Sequence, residues 1–253
     1  MARLIAGEFR KLFSTRLWVW LLLAALGINA LYTALDMAFA NTPGTFTMPL
    51  STPQGQRTLL AIGAGGSPLV AVLAAIGITG EYRHRTAEAT FLSTPRRGWV
   101  VAAKLVVYAV AGVGFAVAGT VVTAAIAVPW LSSQHLARAV GVDGVAATVI
   151  GVIAAVALFG LLGVGLGSLL RDQAATVVIL LVYLLVIERI LTSFRPLGGW
   201  TRFLPGQAQE ALVGSTLTNQ QLLHPWQGAL VLTGYALLAA AAGILAVARR
   251  DIT

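Results

Sequence analysis

The side chains able to do chemistry in this chain are few, and they cluster. Of its 17 basic and 9 acidic residues, seven fall between positions 80 and 104: Glu81, Arg83, Arg85, Glu88, Arg96, Arg97 and Lys104. Such a mixture suits charge-assisted recognition of another surface. Phe91 and Leu92 sit in its midst, and water gives no reason to keep them there. The stretch therefore reads as a foot held out to something beyond this polypeptide. A second group is Glu188 with Arg189, near the end of an apolar run, and Asp36 stands at similar depth on another. Charges inside hydrocarbon face a cavity or each other. Helix neighbours differ by about 100°, so Glu188 and Arg189 cannot both face lipid. Two readings stand: a mutual or cross-helix pair, or a place for Asp36, Glu188 and Arg189 at the outer mouth of a pathway.

Other chemistries lack their residues. There is no cysteine, hence no thiolate metal site and no cysteine nucleophile. His84, His135 and His224 fall in three separate loops with no ligand spacing between any two. The run Gly163-Val164-Gly165-Leu166-Gly167-Ser168 is the nearest approach to a phosphate-cradling loop, but it has no lysine and lies in an apolar run. Its glycines read as a face for close helix packing. The chain is thus expected to be no enzyme and to carry no cofactor or metal of its own.

The elements that position these groups are membrane helices. Apolar residues make up 58% of the 253 and charged ones only 10%, against roughly 25% charged in soluble domains. Several runs reach the ~20 residues a helix needs to cross about 30 Å of hydrocarbon. Six spans are predicted, at about 17–40, 59–79, 105–130, 145–170, 174–191 and 228–248, in one domain covering 1–253. The second is interrupted early by Gly63, Gly65, Gly66 and Pro68, which predicts a bent or unwound first turn. Residues 41–58 carry loop chemistry, and the short turn at Arg171-Asp172-Gln173 makes spans four and five antiparallel neighbours. Within residues 1–16, Leu4, Ile5, Phe9, Leu12 and Phe13 share one half of a helix and Arg3, Arg10, Lys11 and Ser14 the other, the pattern of a helix lying in the membrane surface. No cleavable signal follows it, so the first span reads as retained.

Six spans put both termini on one side. Twelve of the 17 basic residues then share that side with residues 80–104, which the positive-inside rule assigns to the cytoplasm. The expected setting is the plasma (inner) membrane, multi-pass, with both termini cytoplasmic. The net charge of +8 reflects those loops and contact with membrane lipid; no nucleic acid partner is expected. The long link 192–227 is too apolar for a plain loop. Pro205 can open a short helix with Leu204, Ala208, Ala211 and Leu212 on one face, and a second can run from Thr218 toward Leu223 before Pro225. This predicts a re-entrant helical hairpin on the outer side. In the 80–104 loop, Thr86 to Ser93 is built of helix formers with Glu88 near its start. Thr94 and Pro95 then offer a cap and first turn for span three.

With these pieces assembled, the chain resembles the small six-span permeases of ATP-binding-cassette exporters, the type-2 exporter permease family, over nearly its whole length. The resemblance is carried by Gly7-Glu8-Phe9-Arg10-Lys11-Leu12, by Gly80-Glu81-Tyr82-Arg83, by Thr94-Pro95-Arg96-Arg97 with Lys104 ending the run, and by the tail Ala248-Arg249-Arg250-Asp251-Ile252. Arg85 departs from it, since such sequences often have Gly before Thr86. The resemblance implies that residues 1–16 form an elbow helix. It implies that Thr86 to Ser93 is a coupling helix docking in a separate ATPase subunit, with Glu81 orienting it and Arg83, Arg85, Glu88, Phe91 and Leu92 in the contact. Two ATPases, holding ATP and Mg, would act beneath a homo- or heterodimer of permeases, with substrate passing between them. A membrane-embedded enzyme using Glu188, or an ion-coupled carrier, are the alternatives.

Overall fold

In the computed structural model, residues 1–40, 42, 48–83, 97–136, 144–193, 195–215 and 222–249 are described. Helix α1 (Ala2–Ser14) precedes six helices long and apolar enough to cross a membrane. The first is α2 (Leu17–Phe39). The second is a composite of α3 (Pro53–Ala61), a 3-10 segment (Ile62–Gly66) and α4 (Ser67–Arg83). The third is α5 (Arg97–Ser133) and the fourth α6 (Val145–Leu170). The fifth joins α7 (Gln173–Val182), a π-helical segment (Tyr183–Ile187) and α8 (Glu188–Ser193). A 3-10 stretch (Arg195–Phe203) and α9 (Pro205–Leu212) lead toward the sixth, α10 (Pro225–Arg249).

Helix α6 is the hub, packed against α4, α5 and α10. Its glycines explain why: backbone can meet backbone where side chains are missing, which is the main source of helix affinity when lipid is as apolar as leucine. A Cβ on Gly160 would stand 2.6 Å from the Tyr108 carbonyl oxygen of α5, and one on Gly165 2.5 Å from Ala239 of α10. A Cβ on Gly163 would press into the backbone of Ala71 on α4. Val70, Ala71, Ala74, Ala75, Val156 and Phe159 fill the seam and are buried. The outer helices do the opposite. Trp20 and Leu31 on α2, Val178 and Leu185 on the fifth span, and Leu237 and Leu238 on α10 are exposed, as suits surfaces meeting hydrocarbon or another apolar face.

The first and fourth spans lie where the sequence puts them. The second is longer than its pattern: Thr52 Oγ1 accepts from the Gly55 amide at 3.0 Å, Pro53 takes the first helical position, and residues 53–58 are helix rather than loop. The expected early irregularity is the 3-10 segment. There, Asn29 Nδ2 of α2 donates to the Gly63 carbonyl at 3.4 Å, and a Cβ on Gly63 would fall 2.9 Å from Thr120 Oγ1 of α5. The third span starts earlier than the apolar run, at Arg97, and so takes Lys104 into its second turn. The π segment of the fifth span has no Gly or Pro to announce it. At the 171–173 turn, Arg171 is left-handed at φ 57° and Asp172 caps α7 by accepting from Ala175 N at 2.7 Å. Helix α7 then lies on α4 as well as on α6.

Between spans five and six, α9 begins at Pro205 as expected, with Leu204, Ala208 and Ala211 buried and Leu212 partly so. A Cβ on Gly228 of α10 would lie 2.6 Å from the Ala208 carbonyl oxygen. This part of the link is packed onto the bundle. The second expected helix, Thr218 to Leu223, falls almost wholly outside the described residues, and 222–224 are not helical.

Replacing Gly163 by leucine should loosen the hub, at about 1–3 kcal/mol or more for overpacking. A lower melting temperature of the detergent-solubilised protein checks this, with Gly7→Ala, which meets open space, unchanged.

Candidate functional site

At the end of the bundle where α1 lies, four charged side chains from three elements meet. Lys104 of α5 is only 1% exposed, and its Nζ lies 2.5 Å from Glu8 Oε2 and 3.0 Å from Glu81 Oε1. Lys11 Nζ closes the ring, at 2.7 Å from Glu8 Oε1 and 2.6 Å from Glu81 Oε1. A further donation from Lys104 Nζ to the Gly77 carbonyl, at 3.2 Å, uses the remaining ammonium proton. Among the described residues two acids face two bases, the balance under which buried charge is tolerable.

Local sequence builds each part. On α1, Glu8 shares the inward face with Ile5 and Leu12, three and four residues away. Glu8 and Leu12 are buried, while Arg3 and Arg10 face out. Glu81 is in the last turn of α4. Lys104 is seven residues, about 10 Å, into α5, and Tyr108 follows one turn later on the same face. The Tyr108 hydroxyl occupies the space a Cβ at position 77 would need, so Gly77 is the notch that admits both side chains. Burial opposes the charge on Lys11, yet its bonds to Glu8 and Glu81 outweigh this and raise its pKa. Its share of the cluster is therefore present at neutral pH and lost as pH rises through that raised value.

The cluster works as a clasp. Glu81 lies in the last turn of α4 and Lys104 seven residues into α5, so the Glu81–Lys104 pair joins the two helices on either side of residues 84–96, and Glu8 and Lys11 bolt α1 across them. Beside it, Arg171 stacks over the Tyr82 ring at 5.3 Å and donates to the Ala246 carbonyl at 2.8 Å, tying α4, α6 and α10 together. Arg83 donates to Gln173 Oε1 at 3.4 Å.

At the opposite end, Glu188 is 4% exposed and accepts from the Gln207 amide at 3.0 Å. A Cβ on Gly206 would lie 2.8 Å from Glu188 Oε1. The carboxylate therefore caps the N-terminus of α9, where free amides and the helix dipole favour an anion. Among the described residues it makes no ion pair with Arg189, which is exposed. The partner of the carboxylate is thus backbone rather than a charged side chain. Glu188 and Arg189 also line a cavity of about 450 Å³, walled by Ile28, Leu31, Leu69 and Leu184, with Gln209 and Glu210 at its polar end. Asp36 does not line it.

Of the foot residues singled out in the sequence, Glu81 and Arg83 are placed as above; Arg85, Thr86, Glu88, Phe91 and Leu92 lie outside the described residues. Sequence reasoning missed the pairing of Glu8 and Lys11 with Lys104. The available signal was a lysine early in an apolar span, which demands a partner, and an acid on the apolar face of α1. No protein-family model matches the chain, and no curated protein matches it in sequence. Among the described residues no three of His, Cys, Asp and Glu are grouped to hold a metal ion.

Lys104→Met should cost about 3–5 kcal/mol by stranding buried carboxylates, and Glu8→Met with Lys104→Met clearly less, because Glu81 and Lys11 stay balanced; denaturation in detergent measures both. Glu188→Ala should cost about 1–2 kcal/mol and speed amide exchange across 205–212, as loss of a cap does. Glu188→Gln, which still offers an acceptor, should retain most of the protection.

Proposed function

We propose that this chain is the permease subunit of an ATP-binding-cassette exporter, coupled through residues 84–96 to a separate ATPase subunit. The observation that carries the reading is the clasp. A loop that takes up force needs stiff roots, and Glu81–Lys104 makes the end of α4 and the start of α5 move as one, with α1 attached. The resemblance of the 80–104 segment to a coupling loop supports the same view, as does the absence of a phosphate-binding loop from the sequence. In this reading α1 is the elbow helix, Thr86 to Ser93 the coupling helix, and α9 part of a re-entrant link at the outer face. Both termini are cytoplasmic and the protein resides in the plasma (inner) membrane.

In this reading the events run as follows. ATP and Mg, held by two partner ATPases, favour their closed pairing, and differential affinity for that state supplies the drive. Displacement of the foot enters α4 and α5 together through the clasp. Helix α4 passes it to α6 along the glycine seam, where backbone contact leaves little compliance. The 3-10 segment of the second span is where the strain is taken up, since its hydrogen bonding is poorer than a helix's. Apolar faces of the outer helices, such as α2 and the fifth span, are available for a second permease, and substrate passes between the two.

Phe91→Asp with Leu92→Asp should abolish capture of a co-expressed ATP-binding-cassette ATPase subunit while leaving the melting temperature within about 2 °C. Capture by the double variant at the wild-type level would remove the coupling role.

A further inference from the structure

Between α1 and the first three spans lies an apolar slot that the protein leaves unfilled. Its volume is about 300 Å³, and its walls are Phe9, Leu12 and Phe13 of α1, Trp18 and Leu22 of α2, Leu73 of α4, and Val110 to Phe115 of α5. Among the described residues its lining is apolar apart from the Trp18 indole N–H. The aromatic wall is ordered: Phe9 and Phe13 stack at 6.1 Å, and Trp18 meets Phe13 edge-on at 5.3 Å. At its floor is Gly114, where a Cβ would meet nothing within 4 Å. A mid-helix glycine costs about 1 kcal/mol relative to alanine. Gly112, by contrast, is forced by the close backbone of Ala157; no protein neighbour forces Gly114.

Two arginines neighbour the slot's lining residues in sequence. Arg10 follows Phe9, and Arg16 lies between Phe13 and Trp18 at the start of α2. Both are exposed, and neither has a hydrogen bond or ion pair among the described residues. Lys11, the next cation, is already engaged by Glu8 and Glu81. An apolar groove with an aromatic wall, flanked in sequence by two exposed arginines, matches a molecule with an aliphatic chain and an anionic head.

We infer that this slot binds one acyl chain of an anionic phospholipid, with its phosphate held by Arg10 and Arg16. The chain fills the space over Gly114, and the guanidiniums bind phosphate oxygens as planar, bidentate donors. Bound there, the lipid touches α1 on the turn that carries Glu8 and Lys11, and so favours the docked position of the clasp. The inference needs α1 in a membrane surface but no ATPase, so it stands or falls separately from the exporter reading.

Trp18 supplies the probe. The purified full-length chain is titrated in mixed micelles with phosphatidylglycerol brominated on its acyl chains, with brominated phosphatidylcholine, and with inorganic phosphate as the headgroup-only arm. The Trp18 signal is taken as the difference from Trp18→Phe. Saturable quenching by phosphatidylglycerol is expected at about 30-fold lower mole fraction than by phosphatidylcholine, from two basic residues at headgroup depth. Arg10→Gln with Arg16→Gln should erase that preference and leave chain quenching. Gly114→Leu, whose Cβ meets nothing within 4 Å and whose side chain takes up slot volume, should abolish saturable quenching while the melting temperature holds. Phosphate alone should not protect Trp18 from quenching. Equal half-saturation by the two lipids overturns the headgroup assignment, as does competition by phosphate alone. Wild-type quenching in folded Gly114→Leu overturns the slot; should that variant not fold, persistence of the phosphatidylglycerol preference in Arg10→Gln with Arg16→Gln overturns the inference by itself.

Discussion

An ammonium group removed from water must be given its charge and its hydrogen bonds back, and Lys104 receives both from Glu8, Glu81 and the Gly77 carbonyl. That requirement fixes the geometry of one whole end of the molecule. Helix α1 has to approach closely enough for Glu8 to reach in, α4 has to present a glycine at 77 so that Lys104 and Tyr108 fit, and α4 and α5 have to emerge side by side. Replaced by well-packed apolar side chains, such a cluster could be as stable. Its distinctive property is that it cross-links three elements, since each acid contacts both lysines and only the Glu8–Lys11 contact lies within one helix.

The two ends of the bundle are built on different physics. Near α1, side-chain charges cross-link separate helices. At the other end the polar contacts are largely to backbone: Glu188 to the amides of α9, Gln56 Nε2 to the Leu50 and Leu136 carbonyls, and Asn29 to Gly63. The irregular segments, 3-10 in the second span and π in the fifth, lie toward that end as well, beside the cavity bordered by Glu188. Backbone released from regular helical bonding needs partners, and the buried Asn29 gives one. The end near α1 is thus cross-linked by charge, while the far end carries the irregular backbone.

Between them, α6 serves as the shared wall. Its glycines hold α4, α5 and α10 near backbone contact, so displacement of α4 cannot be absorbed by side-chain rearrangement at that seam. The peripheral helices, by contrast, show leucine, isoleucine and valine outward and are positioned mainly by their inner faces.

By itself the sequence determined the six apolar helices, the amphipathic α1 and the start of α9 at Pro205, because each is written in a local signal: run length, a 100° periodicity, or a proline with fixed φ. It also marked Glu188 and Arg189 as costly residues to place, and left Lys104 in the polar stretch before span three. The tertiary structure alone decided the partners of Lys104 and Glu188. Glu8 lies 96 residues from Lys104 and Gln207 lies 19 from Glu188, and no local pattern encodes a pairing made by helices meeting in space. The helical reach of residues 53–58, where Thr52 caps a helix whose buried face is set by α5 and α6, and the π segment of span five were hidden for the same reason. Propensity acts along the chain, whereas close packing and charge compensation act across it.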